Sequence, residues 1–400
     1  LCQRIPATPA WLNDLVEAYA WPATAYTDLA PGEEELGFLE LVQPLVDQAC
    51  ERLHAGVMEL MDQWPSLPFD PENIEDILLM NLPDPLLMRL SRTMVLELNV
   101  ARLQGHLGGA NPEERFVSFI EYLRRPEASM TILADYPVLA RQLVTCISQW
   151  TEVSLEFLNR LCADWQSVRR LFSPDNDPGI LIELIGGAGD THRGGRSVMI
   201  ARFDSGFQIV YKPKSMAVDI HFQELLSWLN ERGCTPLLHT LNVLDSATHG
   251  WMEYVEYQEC NSAEQVEHFY QRLGLYLALL YAINASDFHL ENLIAAGEHP
   301  LLIDLETLFN PEFERFDENE AFLKAQRTMV QSVLVAGMLP QRMWSGDDYG
   351  GLDISGLGGE AGQLTPDRLP RPDGLGTDEM RYIRERLELS GEANRPALNG

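Results

Sequence analysis

The chain has 400 residues, 46% of them hydrophobic, which is enough for a large core and more than one small domain. Its 60 acids outweigh 29 bases, a formal net charge of −31 that argues against a general nucleic-acid role, since phosphate contacts need clustered Lys and Arg. No run of about 18 apolar residues marks a transmembrane helix.

No signal peptide opens the sequence, and Leu1 is not a start methionine, so residues before it are expected. The six cysteines, at 2, 50, 146, 162, 234 and 260, show no C-x-x-C and no metal-like spacing. Scattered thiols of this kind fit a reducing cytoplasm, where the sequon Asn284-Ala285-Ser286 would not be glycosylated.

From about Trp11 to Phe172 the apolar residues recur at helical spacing, as in Phe38, Leu41, Val42, Leu45, Val46 and again in Phe116, Phe119, Ile120, Leu123. Pro44 requires a kink or a helix start, and Pro65, Pro68, Pro71 and Pro83-Asp84-Pro85 break helices. A longer run from Tyr136 to Phe172 carries Leu139, Leu143, Ile147, Trp150, Leu155, Leu158 and Leu161. A helical core with solvated acidic faces accounts for this region, taken as a helical domain over 1–172.

Residues 173–179, S-P-D-N-D-P-G, read as a linker. Ile180–Ile185 then leads into the glycine-rich loop G-G-A-G-D-T-H-R-G-G-R, residues 186–196. Its glycines let backbone amides approach a phosphate, and Arg193 and Arg196 add charge. On its own this loop is a weak signal, since it matches neither the P-loop nor the protein-kinase glycine pattern.

Val198–Phe203 and Gln208–Lys212 follow as strands about the turn Asp204-Ser205-Gly206, and Lys212 ends the second in V-Y-K-P-K. A helix over Met216–Asn230 carries Phe222, Leu225, Leu226 and Leu229 on one face. Glu224 is placed either to reach Lys212 or to serve as a surface acid. Strands are expected over Leu238–Leu244 and Trp251–Tyr257, closing a small lobe over 173–258.

Ser262-Ala263-Glu264-Gln265 reads as a capping box. The helix after it, with Val266, Phe269, Leu273, Leu277 and Leu280 inward, delivers the chain to Y-A-I-N-A-S-D-F-H-L-E-N, residues 281–292. Asp287 and Asn292 are five residues apart, the spacing with which a kinase loop pairs a catalytic Asp with a metal-binding Asn. Leu293–Ala296 and Leu301–Ile303 flank Gly297-Glu298-His299-Pro300 as a hairpin, and Asp304 stands where a second metal-binding acid is expected. Mg²⁺ prefers such hard oxygens and keeps other positions for phosphates and water. Caps and solvated loop residues remain the plain alternative for these side chains. The order of parts, from glycine loop through Lys, helix, sheet and catalytic loop to metal acid, favours a kinase-like site.

Four stretches also carry a resemblance: G-D-T-H-R-G-G-R-S-V, S-G-F-Q-I-V-Y-K-P-K, D-F-H-L-E-N-L-I-A-A-G-E and L-L-I-D-L-E-T-L-F. Together they resemble the dehydratase domain of class II lanthipeptide synthetases. The resemblance implies an α+β fold, a two-lobed, lipid-kinase-like domain preceded by an all-helical one, with the large lobe over 259–400. It implies ATP and Mg²⁺ as cofactors and a ribosomal precursor peptide, with leader and Ser/Thr/Cys-rich core, as substrate. Phosphorylation of Ser and Thr would be followed by phosphate elimination to dehydroalanine and dehydrobutyrine.

Carried over by motif, Lys212 would hold the ATP phosphates, and Asn292 and Asp304 the metal, with Glu306 in support; Arg196, from its charge in the glycine-rich loop, is also expected to serve ATP. Asp287 would act on the substrate hydroxyl with His289 beside it, and Asp190 and His192 would serve elimination. An R-x-x-x-R-x-T segment that the family also uses is not found. T-D-E-M-R and N-R-P, within 377–396, resemble the stretch before it, so the large lobe is expected to be cut short. No Cys/Cys/His zinc set represents the C-terminal cyclase domain, which is expected in a full-length protein. Two other readings remain: a kinase of a lipid or small molecule without elimination, and a pseudokinase scaffold that only grips a peptide.

Overall fold

The structure is a computed structural model that describes residues 9–20, 34–187, 189, 191–310, 324, 328–329, 331–343, 351–389, 391 and 393–399. The chain divides into two compact units. One comprises 1–213 and 371–383; the other comprises 214–370 and 384–400. Mixed helix and sheet, with the helices first, make this an α+β protein.

The helices of the first unit are α1 Ala10–Ala18, α2 Gln43–Gln63, α3 Ile74–Leu79, α4 Pro83–Leu103, α5 Pro112–Leu123, α6 Pro126–Asp135 and α7 Pro137–Phe172. Proline opens α4, α5, α6 and α7 and sits in the first turn of α2, where its missing N–H costs no hydrogen bond. Pro44 therefore starts a helix rather than kinking one. Asn111 caps α5 by accepting from the Glu114 N–H at 2.8 Å.

The predicted apolar positions form the core: Phe38, Leu41, Val42, Leu45, Phe116, Phe119, Ile120, Leu139, Leu143 and Ile147 are all buried in one cluster. Phe38 meets Phe116 and Phe119 edge to face at 5.8 and 6.3 Å. Arg124 reaches the buried Glu40, whose carboxyl is pushed up by burial and pulled back by that guanidinium.

The second half of α7 packs on a small antiparallel sheet of β1 Leu181–Ile185, β2 Met199–Phe203 and β3 Gln208–Lys212. Trp165 stacks on Phe203 at 5.0 Å, and Phe157 meets Tyr211 edge-on at 5.2 Å. Asp204–Gly206 makes the β2–β3 turn, with Gly206 at φ +86°. The open edge of β1 is met by the Leu181 N–H bond to the Pro68 carbonyl, 2.8 Å, the start of a bridge to Phe69.

In the second unit α8 Ala217–Glu231, the hairpin β4 Val243–Asp245 with β5 Gly250–Glu253, α9 Ala263–Ala282, and the hairpin β6 Leu293–Ala296 with β7 His299–Leu302 follow in order. The strands β4 and β5 are shorter than expected, because Leu238 and Leu241 are buried from a loop and Tyr254–Tyr257 leaves the ladder. Ser262 caps α9 by accepting from the Gln265 N–H. The core here gathers Phe222, Leu226, Phe269, Leu273, Tyr276, Leu280, Phe288, Leu293, Leu302 and Leu305.

The T-D-E-M-R stretch returns to the helices. Asp378 is fully buried and accepts from Arg115 Nε at 2.5 Å. Met380 is fully buried in the helical core, and its carbonyl accepts from Asn99 at 2.9 Å. Met380→Ala should cost about 2–4 kcal/mol, the usual penalty for emptying a well-packed site. Chemical denaturation of the purified variant measures it, and a loss below about 0.5 kcal/mol would show that this segment is not integral to the helical core.

Candidate active site

The site grows from the end of α9. Its apolar face holds Phe269, Leu273, Tyr276 and Leu280 in the core, and beyond Ala282 the chain turns sharply through Asn284 (φ +50°) to Asp287 (φ +69°). Asn and Asp are the non-glycine residues that best tolerate this left-handed conformation. Backbone bonds on both sides hold it. Ser286 donates to Thr307 O at 3.2 Å, Phe288 to Ala336 O at 2.9 Å, and Leu290 to Ile354 O at 3.0 Å. Ala285, Phe288 and Leu290 are buried while the Asp287 side chain is 60% exposed, so the anchored neighbours present its carboxylate outward.

His289 follows, half-buried. Its Nδ1 accepts from the Glu291 N–H at 3.3 Å, and its Nε2 lies 3.7 Å from Asp287 Oδ1. After the short 3₁₀ turn Leu290–Asn292, the Asn292 side-chain amide donates to the Asp287 carbonyl at 2.8 Å. That bond uses the amide nitrogen and leaves Asn292 Oδ1 as the atom suited to a cation.

The β6–β7 hairpin then sets the distance to Asp304. Leu293 pairs with Leu302, and the Ile303 N–H reaches back to Asn292 O at 3.1 Å, so Asp304 leaves the ladder beside Asn292. The turn is only Gly297-Glu298, and β7 begins at His299, two residues earlier than expected. Pro300 stands inside the strand opposite Ala295. It fits because Ala295 spends its N–H on Ala393 O (2.7 Å) and its carbonyl on Gln258 N (2.9 Å), so no ladder bond is lost. Buried Arg272 of α9 fixes the turn, donating to Glu298 O at 2.8 Å and to the Glu298 carboxylate at 3.0 Å. Burial pushes the Glu298 carboxyl up, but Arg272 and His268 outweigh it and hold the group below the usual range.

One lysine of this site was not expected. Lys214 meets the acids: its Nζ lies 3.3 Å from Asp304 Oδ1 and is bonded to Glu306 Oε1. Only its place in Y-K-P-K, one proline beyond Lys212, hinted at it. Lys212 itself ends β3 in the first unit and is buried, with 4% exposure. Glu224 is an exposed acid bonded to His221 at 2.9 Å.

The glycine-rich loop belongs to the first unit, where helices hold it. Asn81 donates to Leu184 O and accepts from Gly186 N, both at 2.8 Å. Arg196 makes a two-pronged bond to Glu156 of α7 at 2.9 and 2.5 Å, and this contact raises its pKa further. Gly194 and Gly195 take φ of +73° and +78°, and a side chain on Gly195 would press on Gln149. His192 is exposed; its N–H donates to Arg196 O at 2.7 Å and its carbonyl accepts from Gly195 N. Asp190 lies outside the described residues.

Among the described residues, no group of three or more His, Cys, Asp or Glu is arranged to hold a metal. The metal donors at hand are an amide and carboxylates, a set that suits Mg²⁺ when phosphates and water complete its shell. A cavity of about 340 Å³ adjoins Asp287 and His289, walled by Leu334, Val335 and Ile354 with Gln341 and Ser355. Also among the described residues, no helix is long and apolar enough to cross a membrane.

Residues 136–400 match the model of a family described as a domain of unknown function, DUF4135. The chain belongs to the DUF4135 family. The match starts at the N-cap of α7 and takes in the glycine loop, Lys212, the Asp287 loop and the hairpin. The chain is also 31% identical over 285 residues to the lacticin 481/lactococcin biosynthesis protein LcnDR2 of Lactococcus lactis subsp. lactis. That alignment covers 68% of this chain and 30% of the relative, so the chain spans about 30% of the relative's length. Together the two matches make this DUF4135 chain class II lanthipeptide synthetase-like.

The N-R-P motif proves to buttress the site. Asn394 is fully buried and donates to Gly356 O at 2.9 Å and Gly358 O at 3.1 Å. Gly356 in turn lies against the Asp287 loop, where an added Cβ would come within 2.8 Å of Phe288 O and 3.2 Å of Met338 Cα. Gly356→Ala should therefore cost about 1–3 kcal/mol and speed amide hydrogen exchange at Phe288 and Leu290. Unchanged exchange at both amides would show that the glycine does not hold the loop.

Proposed function

We propose that this chain is the dehydratase part of a lanthipeptide-modifying enzyme, which phosphorylates Ser and Thr of a precursor peptide with ATP and then eliminates the phosphate. The observation that carries this reading is the joining of Asp287, His289, Asn292 and Asp304 by one clamped loop and one hairpin. The name of the lacticin 481/lactococcin relative supports a ribosomal peptide as substrate. A two-lobed, lipid-kinase-like arrangement, action in the cytoplasm and a C-terminal cyclase domain in the full-length protein belong to the same proposal.

In the first half-reaction Asp287 accepts or orients the substrate hydroxyl proton, which its exposed carboxylate is free to approach. His289 stands beside it, with Nε2 3.7 Å from Oδ1. Asn292 and Asp304 would hold Mg²⁺ and Glu306 would support them; the ion would neutralise charge on the ATP phosphates. Lys212 is assigned to those phosphates. Arg196 is the weaker candidate there, because its guanidinium already carries the Glu156 carboxylate. In the second half-reaction a base takes the Cα proton, the Cα–Cβ double bond forms, and phosphate leaves from Cβ. Asp190 and His192 are assigned to this step, which calls for a base near neutral pH.

Incubation with ATP, Mg²⁺ and the precursor peptide, followed by weighing the peptide, tests both halves. Asp304→Ala and Asn292→Ala should each lower phosphoryl transfer by about 10²–10³ or more. Near-parental rates in both variants would remove the pair from the reaction.

In the full-length enzyme His192→Ala should leave a peptide heavier by phosphate, because phosphorylation does not need this histidine and elimination does. Finding only dehydrated peptide would take His192 out of the elimination step. A phosphorylated lipid or small molecule, with the peptide untouched, would instead favour a plain kinase.

A further inference from the structure

Lys214 occupies carboxylates that the proposed function assigns to a divalent cation. Its ammonium lies 3.3 Å from Asp304 Oδ1 and bonds Glu306 Oε1, in a chain where acids outnumber bases by about two to one. The three side chains are partly exposed, Lys214 at 28% and each acid at 41%, so solvent and ions reach the cluster. Asp304 Oδ1 also accepts from the Glu306 N–H at 3.2 Å, which turns both carboxylates toward one point.

An ammonium and a divalent cation cannot hold the same oxygen lone pairs at once. We propose that Lys214 is a displaceable counter-cation: it neutralises the Asp304–Glu306 pair until a divalent ion enters, and then passes its charge to the nucleotide phosphates. This inference rests on the metal role given to Asp304 under the proposed function.

The geometry supports an exchange rather than a fixed ion pair. Lysine is a point charge on a flexible stem and gives up one partner for another without the directional loss an arginine fork would suffer. The exposed position keeps the pair weak enough to be broken. Two carboxylates left without the ammonium would bind a lone divalent ion more tightly, and a nucleotide arriving on that ion would lose a positive neighbour. Lys214 therefore sets the order of events, favouring metal with nucleotide over metal alone.

The test is titration of the chain with Mn²⁺ alone, followed by electron paramagnetic resonance, and then with Mn²⁺ and ADP. Wild type, Lys214→Met and Asp304→Ala are compared, with melting curves confirming that each is folded. Lys214→Met should bind Mn²⁺ alone about tenfold more tightly, the size of one partly screened charge contact, and should bind Mn²⁺–ADP several-fold more weakly. Lys214→Arg should fall between the two proteins in both titrations.

Equal Mn²⁺ affinity in wild type and Lys214→Met, with Asp304→Ala weakened, would overturn the counter-cation role and leave the metal reading standing. Equal affinity in all proteins, or no binding in any, would overturn the metal assignment and this inference with it. Unchanged ADP binding in Lys214→Met would overturn the transfer of charge to phosphate.

Discussion

The conformation of Asp287 is the constraint on which the site depends. A left-handed aspartate costs about 1 kcal/mol in isolation, so it persists only where its surroundings over-determine it. Here they do: Ser286, Phe288 and Leu290 each give their N–H to a different later segment, at Thr307, Ala336 and Ile354. Ala285 is buried before Asp287 and Phe288 and Leu290 are buried after it, while the Asp287 carboxylate stays exposed. Strain stored at one residue in this way is a recurrent mark of a functional position.

The same economy extends outward from the loop. Asn292 ties the Asp287 carbonyl to the hairpin, Arg272 ties the hairpin turn to α9, and Asn394 ties the C-terminal stretch to Gly356, which lies against Phe288. Each is a buried or half-buried polar group that donates to at least one backbone carbonyl, so losing it would leave that carbonyl without its partner. In the helical unit, Asn81 and Glu156 do the corresponding task for the glycine-rich loop. The helices thus contribute more than bulk: they fix the ends of the loop that carries His192.

Much of this was legible in the sequence because it is local. Helical spacing marked Phe116, Phe119, Ile120 and Leu123, all of them buried, and the Asp204–Gly206 turn marked the β2–β3 hairpin. The spacing of Asp287 and Asn292 found the loop. What escaped was set by partners far along the chain. Pro300 sits in a strand because Ala393 and Gln258 take the bonds of Ala295, which no window around 300 reveals. Asn394 and Met380 looked like motif fragments near a chain end, yet they buttress a loop about 100 residues earlier and fill a helical core. The contact of Lys214 with Asp304 and Glu306 spans about 90 residues, a reach that local spacing does not show. Val266 and Leu277 are only half-buried while Tyr276 is buried, a shift of the apolar face of α9 that one helical period cannot resolve.

The central claim is that the loop and hairpin form one metal–nucleotide centre. Crystals grown with Mn²⁺ and a non-hydrolysable ATP analogue, measured at the manganese edge, test it most directly. The account predicts an anomalous peak about 2.1 Å from Asn292 Oδ1 and the Asp304 carboxylate, with Lys214 Nζ drawn off those oxygens toward phosphate. A manganese peak elsewhere, with Lys214 still seated on Asp304 and Glu306, would contradict it.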